Sequence, residues 1–576
     1  MEEPHANVNI LDRHLWKRFW DIAKLYWNSE ERWKARGLLA LVLLILVGLN
    51  LTGLALMYLS GDFMTALQTK NLPEFRLILL KLLGASLAFA PVGVLFSYLA
   101  SKLSVDWELW LTSYFLQKYF KNRAYYHINN DAAIDNPDQR ICDSVAAFTS
   151  IGIGFISILF FSITAFLTYA GALWNISGTL CLLVLLYAVI GTYVSMRFGK
   201  RLINLNFQEL QKGADFRYGL VQIRDNAESI AFYRGESREY TQVKGRLQAL
   251  ITVLRMLVGW ERNIAFFTTG FNNFAVFLPY LLLAPQYFSG KVQYGVLVVA
   301  TGAFTQVLSS IAIIVNYFTI FGTFATEITR LEAFDAALDQ AAGGQKINGQ
   351  GTIESREDSR MALDKVTLQT PDYQHTLLRE ATAEVLPGRG MLIAGVSGTG
   401  KSSLLRALAG LWNAGEGLIF RPPLPEMLFL PQRPYMILGS LREQLVYPNL
   451  EQDASDDELN TVLKKVNLDG LPERFGGFDV VMDWGHLLSP GEQQRLAFAR
   501  LLMTKPRYAI LDEATSALDV NNEARLYRQL QESGMTYVSV GHRPSLLAYH
   551  DNVLELQGKG GWRFVTAAEF QMTAAS

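Results

Sequence analysis

Residues 395–402 read Gly395-Val396-Ser397-Gly398-Thr399-Gly400-Lys401-Ser402, a complete phosphate-binding loop with the spacing G-x-x-x-x-G-K-S. The glycines let backbone N–H groups wrap a chain of phosphates. Lys401 can reach the β- and γ-phosphates, and Ser402 can ligate Mg²⁺. Ser403 opens the apolar helix that follows, whose N-terminus favours negative charge. An acidic pair, Asp512-Glu513, closes the apolar run Tyr508-Ala-Ile-Leu. Asp512 can hold the Mg²⁺ shell, and Glu513 can polarise the attacking water. His542 ends another apolar run, Val538-Ser-Val-Gly, where a γ-phosphate contact is the expected role. Gln432, in Phe429-Leu-Pro-Gln-Arg-Pro-Tyr, is placed to sense the same phosphate and metal. Hydrolysis of a nucleoside triphosphate is the chemistry these residues can carry.

The elements around them are those such chemistry needs. Met391-Leu-Ile-Ala reads as a short buried strand running into the loop, and Ser403-Leu-Leu-Arg-Ala-Leu-Ala as a helix leaving it. A further segment, Leu488-Ser-Pro-Gly-Glu-Gln-Gln-Arg495, starts another helix. Pro490 suits a first helical turn, and Ser489 and the backbone around Gly491 present the positive helix end to an anion. Glu492 lies in that same first turn.

The rest of the 576 residues has a different character. Up to about Phe321 the chain is apolar and aromatic-rich, with runs at Leu38–Ser60, Leu77–Ala100, Val145–Trp174, Thr179–Met196, Ile264–Tyr287 and Tyr294–Phe321. Most approach the roughly 20 residues a helix needs to cross a bilayer. Lys and Arg cluster in the leader and in two long, helically patterned connections, after the second run and after the fourth. Little beyond Lys70, Arg76 and Lys291 marks the other side. This bias places both termini and the ATPase segment in the cytoplasm. Residues 11–36 alternate aromatic and basic side chains, as an amphipathic helix on a membrane surface does. The net charge of −1 offers no basic stripe for a nucleic-acid partner. Cys142 and Cys181 form neither a disulfide framework nor a metal spacing and read as small buried residues.

Two segments of the long connections stand out. Asn136-Pro-Asp-Gln139 predicts a capped helix start, with Gln139 reaching back. Asn226–Tyr233 predicts a helix with Glu228 one turn from Arg224.

In this order, the loop, Gln432, Leu488–Gln493, Asp512-Glu513 and His542 resemble the nucleotide-binding domain of ATP-binding-cassette (ABC) transporters. Pro490 and Glu492 depart from the commonest form of the family's signature, Leu-Ser-Gly-Gly-Gln. The segments at Asp135–Ile141, Asn226–Tyr233 and Phe429–Pro448 are similar to the D subfamily of ABC half-transporters, which includes peroxisomal fatty-acyl and lysosomal cobalamin transporters and bacterial relatives. The resemblance implies a six-helix all-α transmembrane domain of the exporter type followed by an α/β P-loop domain. It divides the chain into a surface helix (1–37), the membrane domain (38–340), a linker (341–352) and the nucleotide-binding domain (353–576). ATP and Mg²⁺ are the implied cofactors, and Tyr373 is the aromatic expected to stack on adenine. Ser489, Gly491 and Glu492 are expected to cap the ATP of an opposed copy, so a homodimer is the simplest assembly. A bacterial inner membrane, with lipid around it, is the implied location. The function implied is ATP-driven translocation of a neutral or amphipathic solute, cobalamin-like or fatty-acyl. An ATP-gated channel or regulatory membrane protein is the alternative.

Overall fold

The computed structural model describes residues 13–129, 134, 136–313, 317–343, 351–451 and 453–570. The chain divides into two compact units, Met1–Gly344 and Gln345–Ser576.

The first unit is entirely helical among its described residues. α1 (Arg13–Trp27) leads into α2 (Arg32–Gln68), α3 (Leu72–Phe120), α4 (Val145–Ile176), α5 (Gly178–Asp225), α6 (Ala227–Tyr233), α7 (Glu236–Phe288), α8 (Tyr294–Ile311) and α9 (Phe318–Gly343). Among the described residues, six stretches are long and apolar enough to cross a membrane. Several helices far outrun that need. The 49 residues of α3 span about 74 Å at 1.5 Å per residue, against about 30 Å of hydrocarbon. Local chemistry sets the tight turns between them. Asn71 caps α3 by accepting from Glu74 N–H, and Ser177 caps α5 by accepting from Leu180 N–H. Gly61 and Gly295 let α2 and α8 touch: a Cβ on Gly295 would lie 2.2 Å from the Gly61 carbonyl oxygen, and Thr65 Oγ1 accepts from Gly295 N–H at 2.9 Å.

Several expectations change here. The apolar stripe of α1 is packed against protein: Phe19, Ile22, Ala23, Tyr26 and Trp27 are buried with α3, α4 and α9, and Tyr26 stacks on Trp107 at 5.8 Å. Only Trp20 among its large apolar side chains stays exposed. Of the sixth apolar run, the described residues hold α8, which ends at Ile311, and the start of α9 at Phe318; residues 314–316 lie outside the described residues. Asn136 takes a left-handed backbone (φ 40°) and makes no side-chain cap bond. In that conformation its amide is not aimed at the N–H groups a cap would serve, so the expected capping box is absent. Pro137 does open the turn, which runs through a π turn directly into α4. α5 ends at Asp225, before Glu228, and Arg224 pairs instead with Asp225 at 3.1 Å. Cys142 is exposed, whereas Cys181 is buried as expected.

The second unit is built on two main sheets. β1 (Glu354–Glu357), β2 (Met361–Gln369), β3 (Thr376–Val385) and β5 (Gly415–Arg421) form one, in the order β1-β5-β2-β3. The other runs β10-β9-β4-β8-β7-β6, from β10 (Gly561–Thr566) through β9 (Asn552–Gly558), β4 (Gly390–Gly395), β8 (Thr536–Val540) and β7 (Tyr508–Asp512) to β6 (Met427–Leu430). All of its strands but β10 are parallel. β4, β7 and β8 are almost wholly buried, as strands covered on both faces must be. α10 (Lys401–Leu408) leaves β4, and a helical insert holds α11 (Leu441–Val446) and α12 (Asp456–Lys465). It also holds α13 (Pro490–Thr504); α14 (Val520–Glu532) follows β7.

One core histidine makes this unit acid-sensitive. His550 is buried between Tyr527 and Tyr537, its Nδ1 bonded to the Leu546 carbonyl at 2.7 Å and its Nε2 unpartnered. Burial pushes the imidazole down to about 4. As pH falls from about 6.5 to about 4, the unfolded chain takes up a proton that the folded chain refuses, so stability is lost across that window. The loss is about 3 kcal/mol by pH 4. Thermal unfolding of the full chain in detergent, compared with His550→Phe from pH 7 to 4, is expected to show a steeper decline for the wild type.

Candidate nucleotide site

The site lies where the parallel strands of the larger sheet end, the usual ligand position in such sheets. β4 delivers the loop, β7 delivers Asp512 and Glu513, β6 is followed by Gln432, and β8 is followed by His542. Gly395, Gly398 and Gly400 all have left-handed φ (146°, 85° and 95°). A side chain on Gly400 would also press on Leu377, whose Cβ would be 3.0 Å from the added Cβ. That approach sets β3 against the loop. Thr399 closes the turn by donating to the Val396 carbonyl at 2.9 Å. Val396 is exposed, as is Ser397.

Lys401 and Asp512 sit in complementary environments. Lys401 is 6% exposed and its Nζ donates to the Gly395 and Val396 carbonyls at 3.0 Å each. Burial lowers its affinity for the proton, against the pull of Glu513 and Asp512. Burial likewise pushes the Asp512 carboxyl up, although the Ser402 hydroxyl donates to it at 3.1 Å. A buried ammonium held by carbonyls and a buried carboxylate beside a hydroxyl fit a polyphosphate and a divalent cation respectively. Ser403 is half-buried on the first turn of α10.

Glu513 is the centre of the remaining groups. It has φ 47°, a conformation that costs a non-glycine residue energy and that clusters at functional sites. Its Oε2 accepts from Gln432 Nε2 at 2.8 Å, and its Oε1 lies 3.1 Å from His542 Nε2. Three segments far apart in sequence thus meet at one carboxylate. Tyr373 lies in the β2–β3 turn with φ 58°, half-buried, its hydroxyl donating to the Gly351 carbonyl at 3.1 Å.

Ser489 and Glu492 form a reciprocal cap on α13. Ser489 Oγ accepts from Glu492 N–H, and Glu492 Oε2 accepts from Ser489 N–H at 2.9 Å. Pro490 takes the first turn, as its fixed φ allows. Gly491 has no room for a side chain without crowding, since a Cβ there would sit 3.1 Å from the Ala517 carbonyl oxygen. Burial raises the Glu492 carboxyl, but the Arg474 guanidinium at 2.7 Å and the bonds from Ser489 outweigh it and hold it below the usual range.

Sequence reasoning missed the side chains that tie these segments together. Gln494 and Arg500 on α13 are buried, and Arg543, next to His542, donates to the Leu518 and Ser516 carbonyls and pairs with the buried Glu523. The available signal was a glutamine and an arginine in a helix otherwise buried nearly all round.

Two family models match: "ABC transporter transmembrane region 2" over residues 22–288 and "ABC transporter" over residues 378–516. The chain is 44% identical to an uncharacterized ABC transporter ATP-binding protein of Synechocystis sp., covering 93% of this chain and 82% of that one. It is 37% identical to ABC transporter D family member 2, chloroplastic, of Arabidopsis thaliana, covering 94% and 86%. It is 33% identical to the lysosomal cobalamin transporter ABCD4 of Mus musculus, covering 96% of each. The fold matches that of a bacterial Atm1-family ABC exporter solved with ATP bound, at a TM-score of 0.73 and 17% identity over 94% and 97% of the two chains. With a phosphate loop, a capped signature helix and six membrane-length helices in one polypeptide, this chain belongs to the ABC transporters as a D-family half-transporter, a multi-pass membrane protein that couples ATP hydrolysis to transport.

Proposed function

We propose that two copies of this chain clamp ATP and Mg²⁺ between them and so move a neutral or amphipathic solute across a bacterial inner membrane. The observation that carries the reading is Glu513, held between Gln432 and His542 and next in sequence to the Ser402–Asp512 pair. Lys401 and the loop amides hold the β- and γ-phosphates. Ser402, Asp512 and Gln432 hold Mg²⁺, which when bound offsets phosphate charge. Glu513 takes the proton of the attacking water, and His542 orients the γ-phosphate. Tyr373 stacks on the adenine. Ser489, Gly491 and Glu492 face the ATP of the second copy.

The dimer and the cargo rest on further observations. Asn272, Asn273 and Gln306 lie in membrane-length helices and are exposed in the single chain. An amide turned to lipid tails is costly, so these side chains either line a polar pathway or hydrogen-bond neighbouring helices, as Gln306 does with Tyr169. Asn316, in the same apolar run as Gln306, lies outside the described residues. Uncharged amides suit a cobalamin-like or fatty-acyl compound, and the likeness to a lysosomal cobalamin transporter supports the first. The bias of Lys and Arg supports cytoplasmic termini and ATPase.

The test is reconstitution in proteoliposomes with cobalamin, an acyl-CoA and a peptide offered separately. One of the first two is expected to raise ATP turnover and to cross the membrane only with hydrolysable ATP. Passive, ATP-gated current without accumulation would replace the transporter with a channel.

A further inference from the structure

Gln494 lies one residue beyond the Leu488–Gln493 segment and is 3% exposed. Its side chain reaches two segments that flank Glu513. Nε2 donates to the Gln432 carbonyl at 3.1 Å and lies 3.2 Å from Ser516 Oγ, while Oε1 accepts from the Ala517 N–H at 3.0 Å. Gln432 in turn donates its own side-chain amide to Glu513, and Ser516 N–H donates to the Glu513 carbonyl at 3.0 Å. One buried amide therefore spends both its donor and its acceptor on the backbone before and after the carboxylate.

We propose that Gln494 is a positioning residue for ATP hydrolysis. It sets the Gln432 loop and the Ser516–Ala517 turn at a fixed separation, and so fixes where the Glu513 carboxylate and the Gln432 amide point. It extends from the helix that Ser489 caps five residues earlier. A displacement of that helix start is thus transmitted to both sides of Glu513 at once. The inference rests on the reading of Glu513 as the base.

A core glutamine with a purely structural task would bond to whatever carbonyls and amides were nearest. Here every partner belongs to the hydrolytic segments. A misplacement of reacting groups by about 1 Å can cost about 100-fold in rate, so even partial loss of this brace has a kinetic cost.

The test uses the full chain in lipid nanodiscs. Gln494→Met keeps the length and removes both polar atoms; Gln494→Asn keeps the amide but is too short to span both segments. Both are expected to lower kcat by about tenfold or more, with ATP affinity within about twofold of wild type. Combined with Gln432→Ala, Gln494→Met is expected to add little further loss, because the two act in series. A merely structural role predicts a lowered melting temperature, wild-type kcat per folded site, and losses that multiply in the double variant; any of the last two overturns the proposal. Should Gln494→Met fail to fold, the kcat of Gln494→Asn decides by itself. Glu513→Gln is measured alongside. If it retains turnover, the base assignment falls; if it is inactive while both Gln494 variants hydrolyse at the wild-type rate, only the brace falls.

Discussion

Glu513→Gln is expected to lower ATP turnover by about 10²- to 10⁴-fold, the usual contribution of a general base, while nucleotide binding survives. The substitution conserves shape, and glutamine tolerates the left-handed backbone no worse than glutamate. Lys401 keeps its bonds to the Gly395 and Val396 carbonyls and Ser402 its bond to Asp512, because none of these uses the Glu513 side chain. What is lost is the acceptor for a water proton at the point where Gln432 and His542 converge. Steady-state ATPase rates together with the ATP retained per chain separate the two effects. Retention of ATP with little hydrolysis is the expected pair of results. Turnover at the wild-type rate would move the base to another residue.

The contrast between that site and the rest of the molecule shows what a linear sequence carries. The phosphate loop was legible because its chemistry is local: left-handed glycines, a lysine and a serine at fixed spacing between a strand and a helix. Asp512, Glu513 and His542 were legible because each ends or follows an apolar strand, and parallel strands deliver their ends to one edge. The membrane-length helices were legible from the absence of charge. The cap at Asn136 failed because a capping pattern presumes an extended backbone, and Asn136 is left-handed. Gln494 and Arg543 could not be assigned partners from spacing, since those lie 23 to 62 residues away along the chain.

Arg500→Met is expected to destabilise the nucleotide-binding unit by about 3 kcal/mol or more, since it leaves three buried acceptors without their donor. Arg500 is 5% exposed, and burial lowers its guanidinium to about 10, so it remains charged at neutral pH. Its fork is filled by neutral acceptors: Nε donates to the Gln444 carbonyl at 2.5 Å, Nη1 to the Tyr435 carbonyl at 2.6 Å and Nη2 to Gln444 Oε1 at 2.7 Å. The plane also lies over the Tyr447 ring at 5.4 Å. A well-packed apolar replacement can match a buried ion pair when both partners go. Here the acceptors stay behind, and each orphaned carbonyl costs about 1 to 3 kcal/mol. Gln444 then loses the contact that holds its amide against Ile437, to which it is bonded at both ends. The segment so loosened begins at Gln432, so hydrolysis is expected to fail along with stability. Arg500→Lys is expected to recover less than half of the loss, because an ammonium is a point charge and cannot reproduce three bonds set by a planar fork. Denaturant or thermal midpoints of the three proteins, read beside their ATPase rates, test this ordering. Equal stability of the lysine variant and the wild type would show that charge alone, and not the geometry of the guanidinium, holds the Gln432 segment in place.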